Sequence, residues 1–185
     1  MSHPLVSAII VNWNGGTMLQ EAITSLLAQT WTALEVIVVD NASSDGSADA
    51  ASQTFGDRIV VVRNTKNEGF ARGNNIGFAR ARGAWVFLLN SDAVCDPGAV
   101  EELMRFAEPR PEVGQLACRV LQAERPNFFD SVGLLLYPDG VCRAKGWEEK
   151  DLGQYDQPEE VIAPHGAACA LRKTMLDRIG GFDED

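Results

Sequence analysis

The stretch Ala84-Trp85-Val86-Phe87-Leu88-Leu89-Asn90-Ser91-Asp92 decides the reading of this chain. Six apolar residues run without a break and then stop at an amide, a hydroxyl and a carboxylate. A continuous apolar run of that length suits a strand covered on both faces of a parallel sheet. Its abrupt polar end places oxygen ligands at the rim of that sheet. The same grammar occurs upstream: Val6–Val11 ends in Asn12-Trp13-Asn14, Leu34–Val39 ends in Asp40-Asn41, and Ile59–Val62 leads to Asn64 and Asn67. In open α/β sheets, ligands bind in the crevice beyond the carboxyl ends of the strands. Four strands that aim polar groups at one rim therefore predict a nucleotide site.

Between these strands the apolar spacing changes from strand-like to helical. Met18, Leu19, Ala22, Ile23, Leu26 and Leu27 mark one amphipathic helix. The turn cluster Ser43-Ser44-Asp45-Gly46-Ser47 opens a second helix reaching about Phe55, and the spacing predicts a third over Gly69–Arg82. Asp96-Pro97 reads as an N-cap followed by proline at the first helical position, opening a fourth helix to about Glu108. Alternating strands and helices predict a mostly parallel sheet with helices on both faces. After Pro111 the alternation fades: one strand is expected over Val113–Leu121, a hairpin around Pro138-Asp139-Gly140, a polar loop over Glu148–Glu160, a strand over Ala167–Arg172, and a short helix over Thr174–Ile179 ended by Gly180-Gly181.

Composition bounds the function. At 185 residues the chain fits one domain, and 45% hydrophobic with 23% charged residues is ordinary for a globular protein. A formal charge of −10 argues against nucleic acid, whose phosphates need a surplus of Lys and Arg. Cys95, Cys118, Cys142 and Cys169 form no C-x-x-C pair and read as reduced thiols of a cytoplasmic protein. No signal peptide opens the chain and no apolar run reaches the ~18 residues of a membrane span. Peripheral contact with the inner face of a membrane stays open, without a basic amphipathic face to support it.

Each candidate residue has a plainer reading beside the chemical one. Asn90-Ser91-Asp92 could be a turn or cap; as a cation site, Asp92 is the main oxygen ligand. Asp40 either closes an Asx turn or accepts a hydrogen bond from a pyrimidine imide or a ribose. Trp13 is a core aromatic or a stacking face for a base. Gly69, Gly73 and Gly77 recur every four residues on one helix face, and glycine inside a helix costs roughly 1 kcal/mol relative to alanine. Something must approach that face closely, either the sheet or a diphosphate, with Asn67, Arg72, Asn74 and Asn75 as donors beside it. His165 is a structural hydrogen-bonder or part of an acceptor pocket. Asp183, Glu184 and Asp185 read most simply as a solvated acidic turn. No G-x-G-x-x-G follows the first strand and no G-x-x-x-x-G-K-[ST] occurs, so a dinucleotide oxidoreductase and a P-loop NTPase are disfavoured.

Taken together, Val6–Asn14, Val38-Val39-Asp40-Asn41-Ala42-Ser43-Ser44-Asp45-Gly46, Asn67-Glu68-Gly69-Phe70-Ala71 with Asn74-Asn75, and Leu88–Asp92 resemble family 2 glycosyltransferases. The Asp40-Asn41-Ala42-Ser43 form is most similar to the rhamnosyltransferase-like branch. Gly166-Ala167-Ala168 through Gly180-Gly181-Phe182-Asp183-Glu184 resembles the family's acceptor-side motif. The resemblance implies an α/β fold of GT-A (Rossmann-like) type, with a donor half over 1–120 and a partial acceptor half over 121–185. It implies inverting transfer of a sugar, rhamnose in that branch, from a dTDP- or UDP-linked donor to a saccharide or lipid-linked acceptor, with Mg²⁺ or Mn²⁺.

Carried over by position, Asn12, Trp13, Asn14, Asp40, Asn67, Gly69, Arg72, Asn75 and Ser91 are the nucleotide-binding candidates. Asp92 is the last position of the family's Asp-x-Asp metal motif, and Asn90 stands where the motif's first carboxylate is expected. The family's general base comes from a Glu-Asp pair shortly after the Gly-Phe-Asp-Glu segment. The chain stops at Asp185 before such a pair, so it is expected to be C-terminally incomplete, with His165, Asp183 and Asp185 as weak substitutes for the base. Two other readings compete: a non-catalytic nucleotide-sugar-binding module, and a sugar-phosphate nucleotidyltransferase. Asn12-Trp13-Asn14-Gly15-Gly16 does not resemble the Gly-rich first loop of the latter.

Overall fold

In a computed structural model, which describes His3–Glu184, a six-stranded sheet forms the body of the chain. Its strands are β1 (Val6–Asn12), β2 (Leu34–Asp40), β3 (Ile59–Arg63), β4 (Trp85–Leu89), β5 (Gln115–Ala117) and β10 (Ala168–Arg172), in the order β3-β2-β1-β4-β10-β5. The first four are parallel, and β10 runs antiparallel to both β4 and β5. The helices are α1 (Met18–Leu27), α2 (Ser47–Phe55), α3 (Gly69–Phe78), α4 (Ala99–Ala107) and α5 (Lys173–Ile179). A mostly parallel sheet flanked by helices is the fold expected from the sequence.

The period-2 rule of strands separates the core into two layers. Val6, Ala8 and Ile10 of β1, with Val36, Val38, Phe87 and Leu89, pack against Leu19, Ile23 and Leu26 of α1, Phe55 of α2 and Met104 of α4. Ile9, Ile37, Val39, Val86 and Leu88 face the other way, onto Phe78 of α3 and Leu176 of α5. β1 and β4 are direct neighbours whose outgoing connections, α1 and α4, start from the same rim. α3 crosses back on the opposite face. The strand order turns round between β1 and β4, and that switch point is where an α/β sheet opens a crevice.

Three element boundaries depart from the sequence reading. α3 stops at Phe78, not Arg82, because the chain tightens into a turn in which the Arg80 and Ala81 amides both donate to the Gly77 carbonyl. Arg82 is then held by Glu35, through its amide at 2.9 Å and its guanidinium at 2.7 Å. α4 starts at Ala99: the Asp96 carboxylate accepts the Gly98 amide at 2.9 Å, so Asp96 and Pro97 form a turn ahead of the helix. The strand expected over Val113–Leu121 is split into β5 and β6 (Val120–Leu121), because the chain changes partner between them: β5 pairs with β10, β6 with β7 (Phe129–Ser131). The predicted hairpin is present as β8 (Leu134–Leu136) and β9 (Cys142–Ala144).

Candidate active site

The site begins with the register that sets Asn12 directly opposite Asp40 at the ends of β1 and β2. Both are buried. The Asn12 amide donates at 3.0 Å to the Asp40 carboxylate and to the hydroxyls of Ser43 and Ser47, and its oxygen accepts the Gly15 amide at 3.2 Å. A methyl group on Gly15 would lie 2.4 Å from that oxygen, so only glycine lets the loop turn here. The loop after β1 is tied to the loop after β2 by three more bonds. Ser43 accepts the Asn14 amide at 2.9 Å, Asn14 accepts the Ser44 amide at 2.8 Å, and Asp45 accepts the Gly16 amide at 2.8 Å. The Ser47 hydroxyl and amide, with the Gly16 amide, hold the Asp45 carboxyl below the usual carboxylate range. Trp13 is the exception in this network: it stands out of the rim, 60% exposed.

The β2–β3 corner is organised in the same way. Asn41 donates to the Gly69 carbonyl at 3.1 Å and accepts from Asn64 at 2.8 Å. The Asn67 side chain accepts the Gly69 amide at 2.9 Å, and Gly69 takes a positive φ of 78° with open space beside it. Gly73 and Gly77 answer a different need. A methyl at Gly73 would come within 2.8 Å of Val11, and one at Gly77 within 2.7 Å of Ile9, so the close approach on this face is made by the sheet. Arg72 is engaged by Glu68 at 3.3 Å and Glu184 at 3.8 Å.

On the β4 side, the Asn90 amide donates to the Ala167 carbonyl at 2.9 Å, extending the β4–β10 ladder, and its carbonyl accepts the Ala93 amide. Ser91 stands over Gly15, the position of a Gly15 methyl being 3.4 Å from the Ser91 Cβ. Asp92 is exposed at the mouth of the crevice. Among the described residues no group of three or more His, Cys, Asp or Glu side chains is placed to hold a metal. One exposed carboxylate with an amide and a hydroxyl beside it fits a hard cation of the Mg²⁺ or Mn²⁺ type, whose other ligands come from substrate phosphates and water. It does not fit an all-protein cage.

Because β10 is antiparallel to β4, the turn His165-Gly166-Ala167 arrives at the same rim. Gly166 is pressed against Phe70 at the start of α3, where a methyl would lie 3.1 Å from the ring. The Nδ1 atom of His165 is buried and takes no hydrogen-bond partner among the described residues, so the structural bond expected of a lone histidine is not made there. Asn75 spends both polar atoms on the chain: its oxygen accepts the Phe182 amide, and its amide donates to the Phe182 carbonyl and to Glu184. Asp183 is exposed, and Asp185 lies outside the described residues.

The structure thus brings Asn12, Trp13, Asn14, Asp40, Asn67, Gly69, Asn90, Ser91, Asp92 and His165 to one rim, and sets Asn75 and Arg72 against the 181–184 segment. Sequence reasoning left Asn41 and Asn64 as strand-end groups at the rim with no stated role, and missed Ser43 and Asp45 as parts of the site. Their signal was present in the turn cluster after β2. Their partners, however, lie ~30 residues away across the sheet, and local turn chemistry does not reveal such pairings. Cys95 and Cys169 are buried, and burial pushes their thiols up to about 12, whereas Cys142 is exposed.

A switch point lined by amides, a buried Asn–Asp pair and one exposed carboxylate make the crevice between β1 and β4 the candidate site of this GT-A sheet. The glycosyl transferase family 2 model matches residues 7–180, and the chain belongs to that family. An uncharacterised glycosyltransferase of Rickettsia prowazekii (strain Madrid E) is 36% identical over 182 residues, covering 98% of this chain and 54% of the relative. The glucosyl-dolichyl phosphate glucuronosyltransferase of Haloferax volcanii is 26% identical over 168 residues, covering 88% and 50%. Among solved structures, the mannosyltransferase PcManGT of Pyrobaculum calidifontis, in complex with GDP-Man and Mn²⁺, superposes with a TM-score of 0.71 at 23% identity, covering 100% of this chain and 49% of that one. The last likeness speaks to the fold. The chain spans about half the length of these relatives.

Proposed function

We propose that this chain is the GT-A domain of an inverting glycosyltransferase, with a donor half over 1–120 and an acceptor half over 121–185. It takes a sugar from a nucleoside diphosphate and passes it to a saccharide or lipid-linked acceptor. The observation that carries this reading is the meeting of Asn12–Asp40 and Asn90–Asp92 on the two sides of one switch point, in a chain of this family. Asp40, held by Asn12, accepts from the base or ribose. Trp13 offers its face to the base, and the backbone around Asn67–Gly69 borders the nucleotide. Asp92, flanked by Asn90 and Ser91, holds Mg²⁺ or Mn²⁺, and the bound cation offsets charge that grows on the leaving diphosphate. The cation's role is supported by the Mn²⁺ and GDP-Man of the Pyrobaculum structure, and a lipid-linked acceptor by the dolichyl phosphate in the Haloferax relative's name.

The donor is proposed to be dTDP- or UDP-linked, since both bases offer Asp40 the same imide edge. Rhamnose rests on the Asp40-Asn41-Ala42-Ser43 form alone. Cytoplasmic action, at or near the inner face of a membrane, is supported by the four free cysteines. The test is a calorimetric titration of dTDP and UDP with Mn²⁺, with Mg²⁺ and with chelator, repeated on Asp92→Ala. Metal-dependent binding that the variant loses supports the proposal. Binding of a nucleoside triphosphate with sugar phosphate, in preference to either diphosphate, would instead favour a nucleotidyltransferase.

A further inference from the structure

The Gly180–Glu184 segment is fastened to the outer turns of α3, and one side chain does most of the fastening. Asn75 Oδ1 accepts the Phe182 amide at 2.9 Å, while its Nδ2 donates to the Phe182 carbonyl at 2.9 Å and to Glu184 Oε1 at 2.8 Å. The segment is shaped for this contact. Gly180 and Gly181 take φ of 88° and 89°, and a methyl on Gly181 would sit 2.4 Å from Asn75 Oδ1. Phe182 lies between Phe70 and Phe78 of α3, with ring centroids 5.8 and 5.6 Å away. Arg72, one turn from Asn75, reaches Glu184 at 3.8 Å. Phe70 also supports the His165-Gly166 turn. One helix therefore carries both the His165-Gly166 turn and the Gly180–Glu184 segment, and its glycine face is seated on β1, whose end lies at the rim.

We infer that Asn75 is a positioning residue: it docks the Gly181–Glu184 segment onto α3, and so fixes the acceptor-side wall of the crevice without touching the donor. The assignment of that wall rests on the donor-site reading above. The latch itself does not. With both its amide hydrogens engaged by the segment, Asn75 has no N–H left for a phosphate unless the segment is released.

The experiment combines amide exchange by NMR with nucleotide titration, on this chain and its variants. In Asn75→Ala, loss of the bond to the Phe182 amide is expected to speed exchange at that residue about tenfold, the equivalent of one net hydrogen bond. Affinity for UDP or dTDP is expected to stay within about twofold, as for independent sites, while Trp13→Ala weakens it. Asn75→Asp places a carboxylate beside Glu184 and is expected to release the segment at neutral pH. Adding Glu184→Gln restores a donor–acceptor pair at that end, while the Phe182 carbonyl still faces a carboxylate, and is expected to re-dock the segment in part. A general packing role for Asn75 predicts no such rescue.

The inference is overturned if Phe182 exchange is unchanged in Asn75→Ala, if Glu184→Gln fails to rescue Asn75→Asp, or if Asn75→Ala weakens nucleotide binding as much as Trp13→Ala. If the unaltered chain binds neither nucleotide, the donor-site reading fails, and the exchange and rescue results still decide the latch.

Discussion

The sheet and the lobe over residues 119–163 are built on opposite principles. In the sheet, β1, β2, β4 and β10 are covered on both faces, and the polar groups at the rim are bonded to one another across long stretches of chain. The lobe holds two small two-stranded sheets, and Phe129 is its only buried apolar side chain among the described residues. Backbone bonds such as Phe129 to Glu149 and Leu134 to Ala163 tie it together, and cations pair with its carboxylates and rings. Arg119 pairs with Asp151 and Asp156 and lies over the Phe129 ring, Arg125 lies over Phe128, Arg143 over Tyr137, and Lys145 over Tyr155. Exposed ion pairs are worth only about 0.2–1 kcal/mol each and weaken with salt. Leu136, Tyr137, Val141, Trp147, Leu152 and Ile162 also stay exposed there. The contrast separates a rim cross-braced by buried hydrogen bonds from a lobe with little buried apolar surface.

The sharpest way to break this comparison is to make equal cavities in the two regions. Phe87→Ala and Phe129→Ala each remove a fully buried ring, at a cost of about 3–5 kcal/mol. Phe87→Ala is expected to lower the main thermal transition of the whole chain. Phe129→Ala is expected to melt the lobe, seen as loss of exchange protection over 128–150, while nucleotide binding and the main transition persist. A single shared transition in both variants would show that lobe and sheet form one cooperative unit.

Next in size is Gly77→Ala. Helix propensity alone favours alanine, but a methyl 2.7 Å from Ile9 must push α3 off the sheet. Overpacking of this kind costs about 1–3 kcal/mol, and denaturant unfolding should show a net loss of stability. Gly69→Ala meets no atom but suffers strain from the positive φ, so its loss should be felt at the rim. Asn12→Ala leaves the buried Asp40 carboxylate without its amide donor and should cost about 1–3 kcal/mol while weakening nucleotide affinity.

Smaller effects follow from charge. Salt at ~1 M, where the screening length is ~3 Å, should speed exchange in the lobe and leave the sheet unchanged. Glu35 gives a pH signature. Burial opposes its charge, yet bonds from Ser7 and Arg82 outweigh that and hold its carboxyl below the usual value. A folded-state pKa below the unfolded one adds stability above the unfolded value, and that stability is lost as pH falls through the folded value. Acid unfolding of Glu35→Gln should therefore be shallower than that of the unaltered chain below about pH 4.5.

β1, β2 and β4 were legible because burial on both faces writes itself into continuous apolar runs. The polar stops after Val11, Val39 and Leu89 located the rim for the same reason. What could not be seen was how the rim groups answer one another. Asn12 and Asn75 carry the same side chain, yet one braces Asp40 from within the sheet and the other fastens a segment more than 100 positions away. Gly73 and Gly77 announced a close approach without saying by what, and Ile9 and Val11 supply the answer. The break between β5 and β6 was hidden because Arg119 turns outward to partners 32 and 37 residues further on.

The most direct test of the central claim is a residue-by-residue NMR map of where a nucleotide binds. UDP or dTDP with Mg²⁺ is predicted to shift the amides of Asn12–Gly16, Asp40–Asp45, Asn67–Gly69 and Asn90–Asp92, and to leave those of 134–144 in place. Shifts centred on the lobe, with a silent rim at saturating nucleotide, would contradict the assignment of the donor site to the β1–β4 switch point.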